Sequence, residues 1–287
     1  MKKRQIEQSL DDLPKEPAET EAILRRALGD RSASIVVKAV RRLLDLEVPG
    51  LTPELSAAFA YFMKDPVKRD PGCRAKTWVL RALQQQRHLD HEVYLTALTH
   101  RQLEPIYGGS EDTAVELRGL AALGLAETGW AYAAEHVVEL LADREAPARV
   151  SAVRALSRLG EALVLRLKAL QGDPEPQVTG ECLEGLLAIE QARAVDFVAR
   201  FLQRSDEAVG EVAALALGAS RLKEAYTPLR EAWDRRVDRR TVLVALATLR
   251  QAEADRFLRQ LVEQRSDGVE VLEPFGFLAT ARKGEAL

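Results

Sequence analysis

Residues 28–47 read LGDRSASIVVKAVRRLLDLE, and residues 141–160 read LADREAPARVSAVRALSRLG. The two stretches align without a gap. Leu28, Asp30, Arg31, Ala33, Val37, Ala39, Val40, Arg41, Leu43 and Leu46 each find the same residue in the second. A chain that copies itself in this way is built from stacked units, each unable to bury its apolar flank alone.

The copy is one of a series. Arg42-Leu43, Ala82-Leu83, Ala122-Leu123, Ala155-Leu156, Gly185-Leu186, Ala216-Leu217 and Ala245-Leu246 occupy equivalent places, stepping by 40, 40, 33, 30, 31 and 29 residues. A unit of that size holds two short helices and two turns. Partner helices are expected near Ala18–Leu28, Thr52–Met63, His91–Thr99, Ala131–Leu141, Ala162–Leu170, Ala192–Leu202 and Pro228–Trp233, with an eighth at Ala254–Glu263. Each carries apolar residues at i, i+3, i+4 and i+7, as in Val195, Val198, Phe201 and Leu202.

Composition agrees. Apolar residues are 47% and charged residues 30% of 287, aromatics only 5%. The abundant Ala, Leu, Arg and Glu lose little side-chain freedom in a helix. No segment alternates as a strand does, so almost no β structure is expected. Turn chemistry predicts caps at Asp65-Pro66, Asp173-Pro174 and Thr227-Pro228, and a capping box between Thr113 and Glu116. Arg101–Asp112, with Pro105 and Gly108-Gly109, reads as a long connection between units. Ser266–Leu287 reads as a cap and tail, its Val271, Leu272, Phe275, Phe277 and Leu278 shielding the last unit.

The pattern resembles HEAT repeats, in particular the short bacterial type found in phycobiliprotein lyases. The residues that carry the likeness are Asp143, Arg149, Val150, Ala152, Val153, Ala155, Leu156, Leu159 and Gly160. Asp173, Val178, Leu183, Leu186 and Ile189 form a looser copy. The resemblance covers roughly residues 20–265 and implies an all-α, right-handed α-solenoid of about seven helix pairs. It also implies that the second helix of each pair lines the inner surface. Family members mostly bind proteins, some bind DNA, and a few are enzymes or enzyme subunits; fold alone does not choose among these. The expected layout is an extension at 1–17, a single solenoid domain over 18–265, and the cap and tail at 266–287.

Aligned on the Ala-Leu pairs, the second helices share one stripe: Lys38, Arg41, Asp45; Trp78, Arg81, Gln85; Arg118, Ala121, Leu125; Ser151, Arg154, Arg158; Glu181, Glu184, Ala188. Lys38, Arg41, Trp78, Arg81, Arg118, Arg154 and Arg158 are therefore the candidate partner-binding residues. Arginine supplies forked hydrogen bonds and tryptophan a flat anchor for an acidic partner. An ordinary solvated face of ion pairs is the plainer alternative.

Other chemistries find little footing. Net charge is −3, so bulk attraction to nucleic acid is not expected. No apolar run is long enough to cross a bilayer, and the start, MKKRQIEQSLDDLP, is no secretory signal. His88, His91 and His100 lie near Asp90 and Glu92, but His88 and His91 flank a helix start instead of sharing a face. HEAT-repeat di-iron hydroxylases spread several His-Glu pairs over their repeats, whereas this chain has His91-Glu92 and the reversed Glu135-His136. Cys73 and Cys182 have neither metal-type spacing nor a histidine nearby in sequence. The reading is a cytoplasmic, non-catalytic scaffold for a protein partner, without cofactor, metal, membrane or small-molecule substrate. The alternatives are a lyase-type enzyme subunit and a nucleic-acid-binding repeat protein.

Overall fold

The computed structural model describes residues 2–204, 206–235 and 237–264. The chain divides into two compact units, Met1–Ala155 and Leu156–Leu287. In the first, α1 (Lys2–Asp11) packs on α2 (Pro17–Leu28) and α3 (Ala33–Asp45). Then come α4 (Thr52–Met63), the short α5 (Pro66–Arg69), α6 (Arg74–Gln85), α7 (His91–Leu98), α8 (Val115–Glu127) and α9 (Ala133–Glu139). Helix α10 (Ala146–Leu159) contains the division between units. The second unit continues with α11 (Ala162–Gln171), α12 (Pro176–Glu190), α13 (Ala192–Ala199), α14 (Glu207–Ser220), α15 (Tyr226–Asp234), α16 (Arg239–Leu249) and α17 (Ala252–Gln264). The expected cap and tail at 266–287 lie outside the described residues.

Within each unit the helices pair and the pairs stack. Helices α2 and α3, α4 and α6, and α7 and α8 form antiparallel pairs, with α3 lying on α6 and α6 on α8. In the second unit α11 pairs with α12, α13 with α14 and α15 with α16, while α12 lies on α14 and α14 on α16. The apolar stripes meet in these seams. Leu24, Ile35, Val36, Val40, Val79, Leu80 and Leu83 are fully buried in one unit, and Leu183, Leu186, Leu217, Leu229 and Leu246 in the other. Burying each large aliphatic side chain is worth about 1.5–3 kcal/mol, which makes the seams the chief source of stability. At Gly218 the backbones nearly touch: a Cβ there would sit 2.5 Å from the Ala245 carbonyl oxygen.

Two local devices recur along the chain, the first in every pair but α15 and α16, where Asp238 makes no cap bond. The first is an aspartate in the turn ahead of the second helix. Asp30, Asp112, Asp143, Asp173 and Asp206 each accept the backbone N–H two residues on, at 2.7–3.1 Å. Asp70 instead takes the N–H groups of Ala75 and Lys76, at 2.8 and 3.0 Å. These bonds satisfy donors that a helix start leaves open. The second device is a left-handed residue where the second helix ends: Glu47, Arg87, Gly129, Gly160, Gln191, Arg221 and Arg250, at φ from 50 to 80°. Only two are glycine, although that backbone costs other residues about 1–2 kcal/mol.

Some turn assignments change. Thr113 and Glu116 form no capping box: the Thr113 hydroxyl donates to Glu104, and Glu116 pairs with Arg81 across to α6. Helix α12 starts at Pro176, so Pro174 lies in the turn, and α15 starts at Tyr226, so Thr227 is already inside it. Asp65 precedes Pro66, but its side chain makes no cap bond. Within the expected connection 101–112 stands a β-hairpin, β1 (Leu103–Ile106) antiparallel to β2 (Gly109–Asp112). Its four-residue strands were too short to show alternation in sequence.

Candidate functional site

The second helices of the first unit carry the candidate stripe. Arg41 on α3 and Arg81 on α6 hold their guanidiniums 5.3 and 4.8 Å from the centre of the Trp78 ring. The indole, half-buried, is flanked by two cations, an arrangement worth about 0.5–1 kcal/mol per cation at an exposed site. Arg81 also meets Glu116 of α8 at 2.5 Å, both side chains largely exposed. Arg41 has no carboxylate partner among the described residues. Lys38 is engaged by α1: its ammonium lies 2.7 Å from Asp11 and donates to the Glu7 carbonyl at 3.1 Å. Arg154 and Arg158 are exposed on α10 and have contacts of their own. The structure thus assembles Arg41, Trp78 and Arg81.

Arg118 does not belong to this surface. It is fully buried, and its guanidinium is the hub of an ionic clamp. Nε and Nη2 donate to the two oxygens of Asp143, at 2.9 and 3.2 Å. Nη1 reaches Asp112 at 2.8 Å and the His100 carbonyl at 3.0 Å. Arg101 adds a second cation, 3.0 Å from Asp143. The difference from the expected stripe is one of register. Counted from the turn aspartates, Arg118 stands six residues past Asp112, as Lys76 stands past Asp70 and Arg149 past Asp143. All three are buried against an aspartate: Lys76 lies 3.0 Å from Asp70, and Arg149 donates to the Asp143 carbonyl at 2.9 Å. The surface positions matching Trp78, Arg81 and Gln85 on α8 are Leu120, Leu123 and Glu127, not Arg118, Ala121 and Leu125, which are interior. The hairpin hid this, because it places Asp112 outside the Ala-Leu spacing.

The clamp fixes charge states. Burial alone would raise the Asp143 carboxyl, but the Glu145 N–H and the Arg118 and Arg101 guanidiniums hold it below the usual aspartate range. Asp112 is likewise lowered: burial opposes, while the N–H groups of Gln102 and Ala114 and the Arg118 charge prevail.

The histidines scatter to separate tasks. His91 and His136 both stack on the Trp130 indole, with ring centres 4.4 and 5.2 Å from it. His100 is lowered by burial, against the pull of its contact with Gln102. Among the described residues no group of three His, Cys, Asp or Glu side chains is placed to hold a metal. Cys73 and Cys182 are buried, and burial pushes both thiols up to about 12, leaving them neutral.

Residues 163–250 match the family model described as HEAT repeats. That stretch, within the second unit, is similar to HEAT repeats. The Escherichia coli protein YibA has a similar solved structure, at 14% identity and a TM-score of 0.52 over 96% of both chains. The complex of CpcE and CpcF of phycocyanin lyase from Nostoc sp. PCC7120 also matches, at 15% identity and a TM-score of 0.43 over 93% of this chain and 98% of that one. At 14% identity the likeness to YibA concerns the fold alone. No curated protein sequence matches this one. Among the described residues no helix is long and apolar enough to cross a membrane.

Proposed function

We propose that this protein is a non-catalytic interaction scaffold whose Arg41–Trp78–Arg81 face receives an acidic segment of a protein partner. The observation that carries this reading is the tryptophan held between two guanidiniums on neighbouring second helices. Stacked helices fix both cations at a set spacing, so binding spends little on ordering them. Arginine forks match carboxylates, and the Trp78 plane supplies apolar area beside them. Leu120 and Leu123, partly exposed on α8, extend the apolar part of the face. Glu116 already occupies Arg81 as a carboxylate would, in an exposed pair worth about 0–1 kcal/mol. An incoming carboxylate displaces it at small cost.

The test is fluorescence anisotropy of a labelled peptide mixing glutamate with leucine, titrated with the whole chain. Binding is expected to weaken between about 50 and about 200 mM salt and to fall at least ~10-fold in Arg41→Glu/Arg81→Glu. Equal affinity of the double variant, at unchanged thermal stability, removes this face from the function.

A further inference from the structure

The hairpin of the first unit is held firmly at its base and left bare at its end. Gln102, fully buried, donates to the Asp70 carbonyl at 2.9 Å, and the Arg118 clamp grips Asp112 at the other strand's foot. Glu104 is fixed from three sides, by the Gly72 N–H at 2.6 Å, the Gln102 amide at 2.6 Å and the Thr113 hydroxyl at 2.9 Å. Beyond these anchors Ile106 is 53% exposed and Tyr107 is fully exposed. A rigid base carrying an uncovered apolar tip is what a docking element requires, because the ordering cost is already met.

Its two edges are unequal. The turn Tyr107-Gly108 has two residues, so the flanking pair Ile106 and Gly109 exchanges both backbone hydrogen bonds. Bonded and non-bonded pairs alternate, which makes Pro105 and Ser110 a non-bonded pair whose backbone groups point to the open edges. On the β1 edge Pro105 has no N–H to offer, and that edge is blunted. On the β2 edge Ser110 offers both N–H and C=O to solvent. No further strand covers it among the described residues.

Charge selects what fits there. Glu111 is exposed and directly opposes Glu104 on one face of the hairpin. Neither is ion-paired among the described residues. Two copies of this chain pairing through β2 would bring four such carboxylates together, and like charges across strands repel. A basic strand gains where a second copy loses. Gly109, without a side chain, leaves Ile106 open to an apolar residue of the incoming strand two places from the one facing Glu111.

We propose that β2 is an acceptor edge for an extended partner segment that places a lysine or arginine beside Glu111 and an apolar residue over Ile106, adding a third strand to the hairpin. Main-chain bonds to Ser110 give affinity, and the alternate side chains give selectivity. This site shares no residue with the Arg41–Trp78–Arg81 face, so either stands without the other.

The probe is a short blocked peptide alternating threonine with valine and lysine, together with its glutamate-for-lysine counterpart. Labelled lysine peptide is titrated with the whole chain, and amide exchange at Ser110 is followed with and without it. The lysine peptide is expected to bind and to slow Ser110 exchange at least ~10-fold. Ser110→Pro, which removes the outward N–H and leaves the clamp intact, abolishes binding. Glu111→Lys weakens it roughly fivefold, and Arg41→Glu/Arg81→Glu leaves it unchanged. Any one of four results overturns the proposal: no slowing at Ser110, equal binding of the glutamate peptide, binding that survives Ser110→Pro, or Ser110 protection that rises with protein concentration alone.

Discussion

The two units solve one problem with different materials. In the second, the position six residues past the turn aspartate is Thr179, the units step by about 30 residues, and small residues let helices close on each other, as Gly218 does on Ala245. Arginines there lie over core aromatics, Arg166 and Arg200 on Phe197 and Arg204 on Phe201, as lids whose stems cover buried rings. In the first unit the steps lengthen to 40, extra segments enter between paired helices, and the same position becomes Lys76 and Arg118. Buried ions against turn aspartates then fasten what apolar packing no longer reaches. Regular spacing lets helices hold each other by area alone, while an insertion must be tied down by directed bonds. That contrast also explains why a stacked but half-exposed tryptophan and a rigid hairpin both occur in the irregular half.

The largest effect should come from cutting the clamp. Arg118→Met leaves Asp143 and Asp112 with only the half-exposed Arg101 as a cation and is expected to cost about 3–5 kcal/mol in denaturant unfolding. A loss below ~1 kcal/mol would show that the ionic hub is dispensable to the first unit. In the second unit the matching break is steric. Gly218→Ala pushes a Cβ into the Ala245 carbonyl, and about 1–3 kcal/mol of stability should go with it. If Arg118→Met and Gly218→Ala instead lower the same calorimetric transition in parallel, the units unfold as one and the contrast between them has no thermodynamic meaning.

Acid should separate the halves further. Asp112 and Asp143 have folded-state pKa values below their unfolded ones, so the stability they contribute is present above the unfolded value, about 3.9. It is lost as pH falls through the depressed folded values. Wild-type stability should therefore drop steeply below about pH 4, and Asp143→Asn, already weaker at neutral pH, should show a shallower drop. Parallel curves for the two proteins would contradict the assignment. The smallest effect is a gain: Arg221→Gly relieves a left-handed backbone at φ 56° and is expected to raise stability by about 1 kcal/mol. No gain would mean that the Arg221 side chain contributes as much as its backbone costs.

Helix positions were legible because periodicity is averaged over whole turns. Thr52–Met63 matches α4, and His91–Thr99 and Ala162–Leu170 fall within a residue of α7 and α11. Gly160 announced a helix end, but Arg221 and Arg250 in the same backbone conformation could not, since their strain is offset by packing that only the fold reveals. The arrangement of the candidate face was half legible. Arg41, Trp78 and Arg81 come together because equal 40-residue steps kept their register. Arg118 failed because the hairpin shifted the Ala-Leu pair against the turn aspartate by two residues, and on a helix two residues turn a side chain from surface to core. Counted from Asp30, Asp70, Asp112 and Asp143, the stripe positions of α8 are the partly exposed Leu120 and Leu123, and the burial of Lys76 and Arg149 follows the same rule.

The Arg41–Trp78–Arg81 face is most directly tested through its own indole. In a Trp130→Phe/Trp233→Phe background Trp78 is the sole tryptophan, because the chain has three. Titration with the glutamate–leucine peptide should change its emission saturably, with a midpoint that rises with salt and shifts to tighter binding in Glu116→Gln. An emission unmoved by the peptide, or moved equally after Arg41→Glu/Arg81→Glu, would contradict the account.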